Sequence, residues 1–551
     1  MTEVTVFRSA TPEPTVNSLS LEQQVGQLLS AHVGESGFPP QEAIPRRQLE
    51  GMIRQGQLGS VQFGVPVGWG QVHTPRDLAE LTNHLQHLAP LPLLFNADFE
   101  AGAGRIVPGA TAFPPLMAIG AADDPALARQ MGAITAREAL AMGVHQLYAP
   151  VVDVNVNPAN PIINVRAFGG RPDRVAALGA AFIEGCQEAG AVATAKHFPG
   201  HGDTAMDSHL QLPIVPHGRE RLEAVEFVPF RAALQAGVRA VMTAHIVFPA
   251  LDTSLLPATL SYPILTELLR QEMGFRGVIV TDAMGMKAIA DNYGVGEAAV
   301  MAVAAGADLI IAVDPQESYR ALWEAAVSGR LSRERVAEAA GRILALKKWL
   351  GLFQSRLVDV DQVDERVGTA DHREAARQVA RAALTALRGD LACGAGCHRL
   401  LLVPEYRRYT GESVRDEIAA WLHQGALPGA RLVLLSDNPT PGEIEAVMAD
   451  RADAEAAILL TYAQARAYDP GGSQVAGGFL ALAEALAAHM PVGVLSLGSP
   501  YVLPAFQAAS ALGCAYGADP ASVWVALDVL AGRLEPRGRL PAKIEETISS
   551  L

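Results

Sequence analysis

Histidines and carboxylates are concentrated in one stretch of the chain, Lys196–Pro213, which reads KHFPGHGDTAMDSHLQLP. Within it, Asp207 and His209 are two residues apart, so in an extended segment their side chains face the same side. A carboxylate beside an imidazole fixes the ring's tautomer and raises its basicity, which leaves the other ring nitrogen free to move a proton. The stretch therefore predicts an acid–base site.

The residues around this stretch predict where the site lies in the fold. An apolar run over residues 191–195 precedes it and is typical of a short buried strand. Pro199, Gly200 and Gly202 then end regular structure, so the polar groups belong to a loop at the carboxyl end of a strand. In α/β proteins this is the edge where ligand sites lie.

Two other interpretations of the same residues stay open. Any one of these histidines, taken alone, is more commonly a hydrogen-bonded structural residue. The spacing His-x3-His-x-Asp, with a later Asp-x-His, also offers enough ligands for a metal ion. No further cluster follows at a conventional zinc spacing, so the sequence predicts neither a metal nor a cofactor.

Two motifs resemble the signature of one enzyme family. The first is KHFPGHGDTAMDSH at residues 196–209, and the second is VTDAMGM at residues 280–286. Their order and approximate spacing resemble those of glycoside hydrolase family 3, in its β-N-acetylglucosaminidase branch. The resemblance extends with weaker motifs over residues 20–350 and more loosely over the rest. It implies a (β/α)8 barrel that cleaves glycosidic bonds with retention of configuration.

The resemblance assigns the reacting groups. Asp282 corresponds to the nucleophile that forms a glycosyl-enzyme intermediate, and His209, oriented by Asp207, takes the place of the usual second carboxyl group as acid and then base. The residues themselves leave an alternative for Asp282. It ends the apolar run 278–281, where an aspartate could instead cap the next helix.

Further residues are predicted to bind the sugar. Lys196 and His197 end the same strand as the loop, and by resemblance both contact sugar hydroxyls. A lysine that ends an apolar strand needs a ligand or a carboxylate. Asp98, after the apolar run 93–97, resembles the aspartate that holds the outer hydroxyls, and Arg166 matches an arginine of the family.

The segment after Asp98 departs from the family pattern. Where the branch usually shows E-G-G-x-V-x-R, this chain has EAGAGRI from Glu100, and Arg105 falls one residue short of the expected position. We carry Arg105 over as a substrate-binding residue, while the departure leaves the preferred sugar open.

Composition limits the classes of protein to consider. The chain has 551 residues, half of them hydrophobic and 18% charged, with a net charge of −15, so it is globular and too long for one core. The acidic balance and the absence of a Lys/Arg run exclude nucleic acid as a partner.

No secretory signal or membrane span is evident, so a cytoplasmic location is expected. Four cysteines do not make a disulfide framework, and Cys393 and Cys397 are interpreted as an incidental loop.

Apolar strands alternate with amphipathic helices over most of the chain. The predicted strands of the first part are Leu58–Phe63, Leu93–Asn96, Gln146–Val152, Ala191–Lys196, Ala240–His245, Val278–Asp282 and Leu309–Val313. Such near-continuous apolar strands between helices predict a parallel sheet covered on both sides, and their number favours a (β/α)8-type TIM barrel over an open sheet. A capping box at Ser20 and Gln23 predicts a helix through about Val33.

A second, shorter alternation follows. Its predicted strands are Leu400–Val403, Arg431–Leu435, Ala457–Thr461 and Val492–Leu497, and a helix is predicted over residues 372–387. We predict a tail at 1–18, a barrel domain at 19–352, a linker at 353–371 and a smaller α/β sandwich domain at 372–551.

The predicted function is a retaining exo-β-N-acetylglucosaminidase that acts on a small carbohydrate or glycopeptide, such as a peptidoglycan fragment. A phosphorylase that uses phosphate as the acceptor and a β-glucosidase are the enzymatic alternatives. A catalytically silent sugar-binding protein and a metal-dependent hydrolase are the alternatives from other classes. The sequence leaves the oligomeric state and the role of the second domain open.

Overall fold

A computed structural model describes residues 13–34, 44–64, 69–206, 212–392, 398–425, 427–451, 453–463, 472 and 474–544. The predicted acid–base pair, Asp207 and His209, lies outside the described residues, as do Cys393 and Cys397. The residues on either side of the pair are described, from Lys196 to Met206 and again from Leu212.

Eight parallel strands form the first sheet in the described part of the chain. They are β1 (Leu29–Val33), β2 (Ser60–Phe63), β3 (Leu94–Ala97), β4 (Gln146–Leu147), β5 (Val192–Phe198), β6 (Ala240–Thr243), β7 (Val278–Val280) and β8 (Ile310–Ala312). Neighbouring strands pair in sequence order from β1 to β7, and β8 pairs with β1. A parallel bridge from Val280 to Leu309 then brings β7 to β8, so the sheet closes. This confirms the predicted barrel.

Helices surround the barrel and connect its strands. They are α1 (Leu21–Gln27), α2 (Arg46–Arg54), α3 (Pro75–Leu88), α4 (Leu116–Ala122), α5 (Pro125–Ala141), α6 (Pro172–Glu188), α7 (Arg219–Ala224), α8 (Phe227–Gln235), a π-helical segment (Pro263–Glu272), α9 (Lys287–Tyr293), α10 (Val295–Ala305), α11 (Pro315–Ser328) and α12 (Arg333–Trp349). Hydroxyl side chains start several of them, since Ser20, Thr74 and Ser332 accept hydrogen bonds from the first-turn amides.

The predicted helix from Ser20 to Val33 is wrong in its second half. The capping box is present, but α1 ends at Gln27 and strand β1 begins at Leu29. All five residues of β1 are buried. A strand buried on both faces shows no alternation, and a short apolar run of this kind cannot be told from a buried helix by periodicity.

The second sheet has six strands in the described residues. They are β9 (Thr385–Arg388), β10 (Arg399–Pro404), β11 (Ala430–Leu435), β12 (Ala456–Thr461), β13 (Val492–Ser496) and β14 (Ala511–Cys514), in the order 11-10-12-13-14-9. All pair in parallel except β9, which runs antiparallel to β14. The helices of this region are α13 (Val363–Arg366), α14 (Ala370–Ala383), α15 (Val414–His423), α16 (Pro441–Ala449), α17 (Gly477–Ala487) and α18 (Pro520–Leu530).

This sheet confirms the predicted α/β sandwich and corrects two details. Strands β9 and β14 are absent from the prediction, and the helix predicted to Leu387 ends at Ala383 because the chain turns into β9 there. The domain boundaries stay a prediction.

Buried polar contacts hold the chain from α13 onward, which we call the second region, against the barrel. Glu138 of α5 accepts hydrogen bonds from the Thr111 hydroxyl at 2.6 Å, the Gly368 amide at 2.8 Å and the His372 ring at 2.8 Å. Near the end of the chain, the Pro541 carbonyl accepts from the Gly170 amide at 3.0 Å. None of the helices in the described residues combines the length and apolar character needed to cross a membrane.

A buried lysine lies on the side of the barrel where α12 meets α1. The Lys347 side chain is fully buried, and its Nζ donates to Gln27 Oε1 at 2.6 Å. Burial lowers the pKa of Lys347 to about 7. The neighbouring Lys348 is two-thirds exposed and pairs with Glu13.

We predict a measurable pH dependence of stability from Lys347. Because its pKa in the folded protein lies below the ordinary value of 10.5, the unfolded chain binds more protons between the two values. The free energy of unfolding should therefore rise as the pH increases from about 7. Denaturant unfolding at pH 7 and pH 9.5 should show this rise in the natural protein and in Lys348→Met, and a smaller rise in Lys347→Met. The same rise in all three proteins would contradict the assignment.

Candidate active site

The predicted site residues of the described chain meet at one end of the barrel. Asp98 follows β3, Lys196 and His197 are among the last residues of β5, and Asp282 lies two residues beyond β7. Because all barrel strands are parallel, these carboxyl ends surround one opening, which we call the mouth.

Lys196 is the centre of the first charged cluster in the mouth. Its side chain is 2% exposed, and its Nζ lies 2.7 Å from Asp98 Oδ1 and 2.7 Å from Glu100 Oε1. The other oxygen of Asp98 accepts from Gln62 Nε2 at 3.0 Å. One ammonium thus joins the ends of β3 and β5.

The pKa values in this cluster follow from its charges. Burial alone would raise the pKa of Glu100, but the charges of Arg166 and Lys196 hold it well below its ordinary value. Burial would likewise lower the pKa of Lys196, and the carboxylates of Asp98 and Glu100 outweigh burial and raise it. Glu100 and Lys196 are therefore both charged at neutral pH.

Two arginines hold Glu100 from its other side. Arg166 makes a two-point contact with it, with Nη2 2.8 Å from Oε1 and Nε 3.0 Å from Oε2. Arg105 Nη1 lies 3.3 Å from Oε2, and the Arg105 guanidinium lies 5.3 Å from the centre of the Tyr409 ring in the second region. The structure therefore brings Asp98, Arg105, Arg166 and Lys196 into one cluster.

His197 belongs to a second cluster around a buried aspartate. Its Nδ1 lies 2.7 Å from Asp153 Oδ2, and Asp153 Oδ1 accepts from the amides of His197 at 3.2 Å and His201 at 2.7 Å. A ring that donates from Nδ1 to a carboxylate keeps Nε2 as its acceptor nitrogen. Burial lowers the pKa of His201 to about 4, so this ring is neutral at pH 7.

Close backbone packing explains the glycines of this loop. A Cβ on Gly202 would stand 1.9 Å from the Val154 carbonyl oxygen, and Gly200 has a φ of +144°, where a Cβ would meet Glu226 at 2.6 Å. Asn160 Nδ2 donates to the His201 carbonyl at 2.8 Å. The loop after β5 is thus packed directly against the loop after β4.

The residues around Asp282 exclude the helix-cap interpretation. The next helix, α9, begins at Lys287 with Met286 at its N-cap position, four residues after Asp282. Asp282 Oδ1 accepts from the Ala283 amide at 2.7 Å. The ring of the buried His245 lies 3.1 Å from the Ala283 carbonyl through Nε2 and 2.8 Å from the Thr259 hydroxyl through Nδ1. These contacts position the turn that carries Asp282.

Asp98 and Asp282 both lie near the buried side chain of Tyr148. Its side chain is fully buried, and its pKa is raised well above the ordinary value by burial and then by the negative charges of Asp98 and Asp282. Both carboxylates must lie near this hydroxyl to act on it. The carboxylate at the end of β7 and the Lys196 cluster therefore lie on either side of Tyr148 at the same end of the barrel.

The chain on either side of Asp207 and His209 is held at the mouth. Before them, the Thr204 hydroxyl lies 2.9 Å from His201 Nδ1. After them, the Val247 amide, in the loop after β6, donates to the Pro213 carbonyl at 3.0 Å. Asp203 Oδ2 lies 2.6 Å from His217 Nε2. The role of the acid–base pair stays a prediction.

A metal-binding arrangement is absent from the part of the chain that the structure describes, since no three His, Cys, Asp or Glu side chains are grouped so that they could hold an ion. Of the four histidines in and after the loop, His197 and His217 each pair with an aspartate instead.

Sequence reasoning missed two carboxylates that organise the site. Glu100 was quoted only as part of a departure from a motif, and Asp153 was not singled out. Both carry the signal that pointed to Asp98 and Asp282, a carboxylate just after a buried strand near the barrel's carboxyl end. Their contacts explain why buried carboxylates are tolerated there.

Comparisons with known proteins agree on one family for this chain. The model of the glycosyl hydrolase family 3 N-terminal domain matches residues 20–346. A β-hexosaminidase A from Pseudoalteromonas piscicida is 33% identical over 413 residues, which are 68% of this chain and 68% of that protein.

Solved structures agree over nearly the whole chain. A glycoside hydrolase family 3 β-N-acetylglucosaminidase from Paenibacillus sp. str. FPU-7 is 34% identical, with a TM-score of 0.82, over 96% of this chain and 99% of that one. A β-glucoside phosphorylase is 25% identical, with a TM-score of 0.81, over 96% of this chain and 95% of that one.

We predict that Lys196→Met destabilises the protein by about 3–5 kcal/mol, because it leaves two carboxylates without their shared cation. The depressed pKa of Glu100 contributes stability above its ordinary value of 4.5. The deficit of the variant should therefore shrink as the pH falls from 7 towards 4.5, where Glu100 without Lys196 takes up a proton. Denaturant unfolding at both pH values, with Lys348→Met as an exposed control, measures it. A deficit that does not change with pH would contradict the charge argument.

Proposed function

This chain belongs to glycoside hydrolase family 3 and is a glycoside hydrolase, and from that premise we propose that it is a retaining exo-β-N-acetylglucosaminidase. Its substrate would be a terminal β-linked GlcNAc of a small glycan or glycopeptide, such as a peptidoglycan fragment. One observation carries the proposal. A strand-end carboxylate, Asp282, lies at the same end of the barrel as a cluster of charged groups suited to sugar hydroxyls, in a fold shared over 96% of the chain with a family 3 β-N-acetylglucosaminidase.

In the proposed mechanism, Asp282 attacks the anomeric carbon and forms a glycosyl-enzyme. Retention requires such a nucleophile and a proton donor for the leaving oxygen. His209, oriented by Asp207, would donate that proton and then activate the water that releases the sugar. An ordinary histidine titrates near pH 6.5, so it needs little adjustment for both roles.

We further propose that the Lys196 cluster recognises the sugar. Asp98 is the partner in that cluster whose side chain is 43% exposed, so it can accept hydrogen bonds from hydroxyls that enter the mouth. Lys196 is 2% exposed and Glu100 is 6% exposed, so their main effect is to fix Asp98 and Arg166 in place. His197 would contact the sugar through Nε2. Arg105 would contact it through the edge of its guanidinium nearest Tyr409.

Phosphorolysis is the second candidate, because the chain is also similar to a β-glucoside phosphorylase. A histidine acid–base group, unlike a carboxylate, does not repel phosphate. The same covalent intermediate could therefore pass its sugar to phosphate instead of water.

The nucleophile is tested by Asp282→Asn, which we expect to abolish turnover of an aryl β-GlcNAc. An amide cannot form the glycosyl-enzyme, so the loss should appear with every leaving group. The matched change Asp314→Asn, at the N-cap of α11 beyond β8, should keep its activity. Substantial activity in Asp282→Asn would exclude the nucleophile assignment.

The acid–base role is tested by His209→Ala and by its dependence on the leaving group. We expect a loss of about 10²–10⁴ in rate with a poor leaving group and a much smaller loss with an activated aryl group, since only the poor leaving group needs a proton. The exposed His423→Ala is the control. Equal losses with both leaving groups would reject the role.

One assay separates the enzymatic alternatives. The natural protein would be given aryl β-GlcNAc and aryl β-glucoside, each with phosphate and in a buffer that lacks a nucleophile. Free GlcNAc at rates independent of phosphate supports the proposal. A sugar 1-phosphate would show phosphorolysis, and preference for the glucoside would show a β-glucosidase.

A further inference from the structure

A cavity lined by arginines lies at the opposite end of the barrel from the mouth. It is open to solvent and has a volume of about 660 Å³ between the segments that lead into β6 and β7 and helix α12. Arg239 directly precedes β6, Arg276 lies two residues before β7, and Arg231 and Arg342 come from α8 and α12. Among the described residues that line the cavity, the ionisable groups are these four arginines.

Carboxylates close to the cavity are already shared among several cations. The fully buried Asp308 binds Arg342 at 2.9 Å, Arg335 at 2.6 Å and Arg270. Burial lowers the pKa of Arg270 to about 10, and repulsion from the other two guanidiniums acts in the same direction. Asp308 therefore has no capacity left for a further arginine.

The other three arginines have no carboxylate partner in the described residues. Among the residues that the structure describes, no ion pair involves Arg231, Arg239 or Arg276, although the chain carries 58 acidic and 43 basic residues. Uncompensated positive charge concentrated in one concave place of an acidic protein favours an anion.

Arg239 is held in position without its hydrogen bonds being satisfied. Its guanidinium lies 3.9 Å from the centre of the Trp349 ring, and its Nε is buried without a hydrogen-bond partner. Burial lowers its pKa, which is the expected sign for a cation whose charge is not matched. An orphaned buried donor of this kind costs free energy that a bound acceptor would recover.

We propose that this cavity binds a small multivalent oxyanion, either a polyphosphate or a polycarboxylate. Both classes present several charged oxygens, and a guanidinium binds two of them at once through its planar fork. The concave shape, enclosed by two loops and a helix, suits a small ligand better than a flat macromolecular surface.

The position of the cavity separates it from the chemistry at the mouth. Strand β7 begins at the cavity, with Val278 in its lining, and Asp282 follows the other end of the same strand. A ligand here would act on the stability of the strands that carry the site without contacting the substrate. The proposal is independent of the sugar specificity and of the choice between hydrolysis and phosphorolysis.

The test is binding of inorganic pyrophosphate and of citrate to the full chain, by isothermal titration calorimetry at fixed ionic strength set with chloride. We expect saturable binding of at least one of them, and the two arms distinguish phosphate from carboxylate ligands. The variant Arg239→Gln/Arg276→Gln should bind it about tenfold to a hundredfold more weakly, since two charge-assisted contacts are lost.

Two control variants keep the result interpretable. Arg330→Gln removes an exposed arginine that pairs with Glu297 and should bind the anion unchanged. Arg276→Gln alone alters an exposed side chain, so it tests the site even if the change at Arg239 prevents folding. All variants should hydrolyse an aryl glycoside at the natural rate. No saturable binding by the natural protein, or equal binding by the arginine variants, would overturn the proposal.

Discussion

A single buried ammonium, that of Lys196, sets the geometry of the mouth. Removing a lysine from water costs several kcal/mol, so this one is tolerated only with Asp98 and Glu100 both at 2.7 Å. Those two contacts hold the end of β5 against the chain after β3. Glu100 then binds Arg166 and Arg105, so the requirement to balance one charge orders four further side chains. A neutral residue at position 196 would leave Asp98 and Glu100 without the cation that they share.

The backbone makes this arrangement possible through close contact between loops. Asp153 accepts two amide hydrogens and one imidazole hydrogen from the loop after β5, and these contacts tie that loop to the chain after β4. Gly202 lets that loop touch the Val154 carbonyl. The segment that contains Asp207 and His209 therefore leaves from one rigid position, near Thr204, and returns at another, near Pro213.

The sequence predicted the architecture better than the details of the site. Motif order and the count of apolar strands were enough for the family, the barrel and the sandwich, all of which are confirmed. Strand β1 was missed because LSAHV is buried on both faces and follows a genuine capping box, so no local signal marks the end of α1. Glu100 and Asp153 act through partners far away in sequence, such as Arg166 and His197. Their position after an apolar run marks them as candidates, but the partners that define their roles are tertiary contacts. The roles of Asp207 and His209 stay predictions.

The second region belongs to the physical support of the site. Tyr409 lies against the guanidinium of Arg105, and the Tyr501 hydroxyl accepts from Asn155 Nδ2 at 2.8 Å, two residues after Asp153. One tyrosine of the second region thus contacts the Lys196 cluster directly, and another binds the chain two residues after Asp153. Arg105 is the residue that departs from the family spacing, and its guanidinium is held between Glu100 and Tyr409. The Tyr409 ring therefore restrains this guanidinium from outside the barrel, while Glu100 restrains it from within.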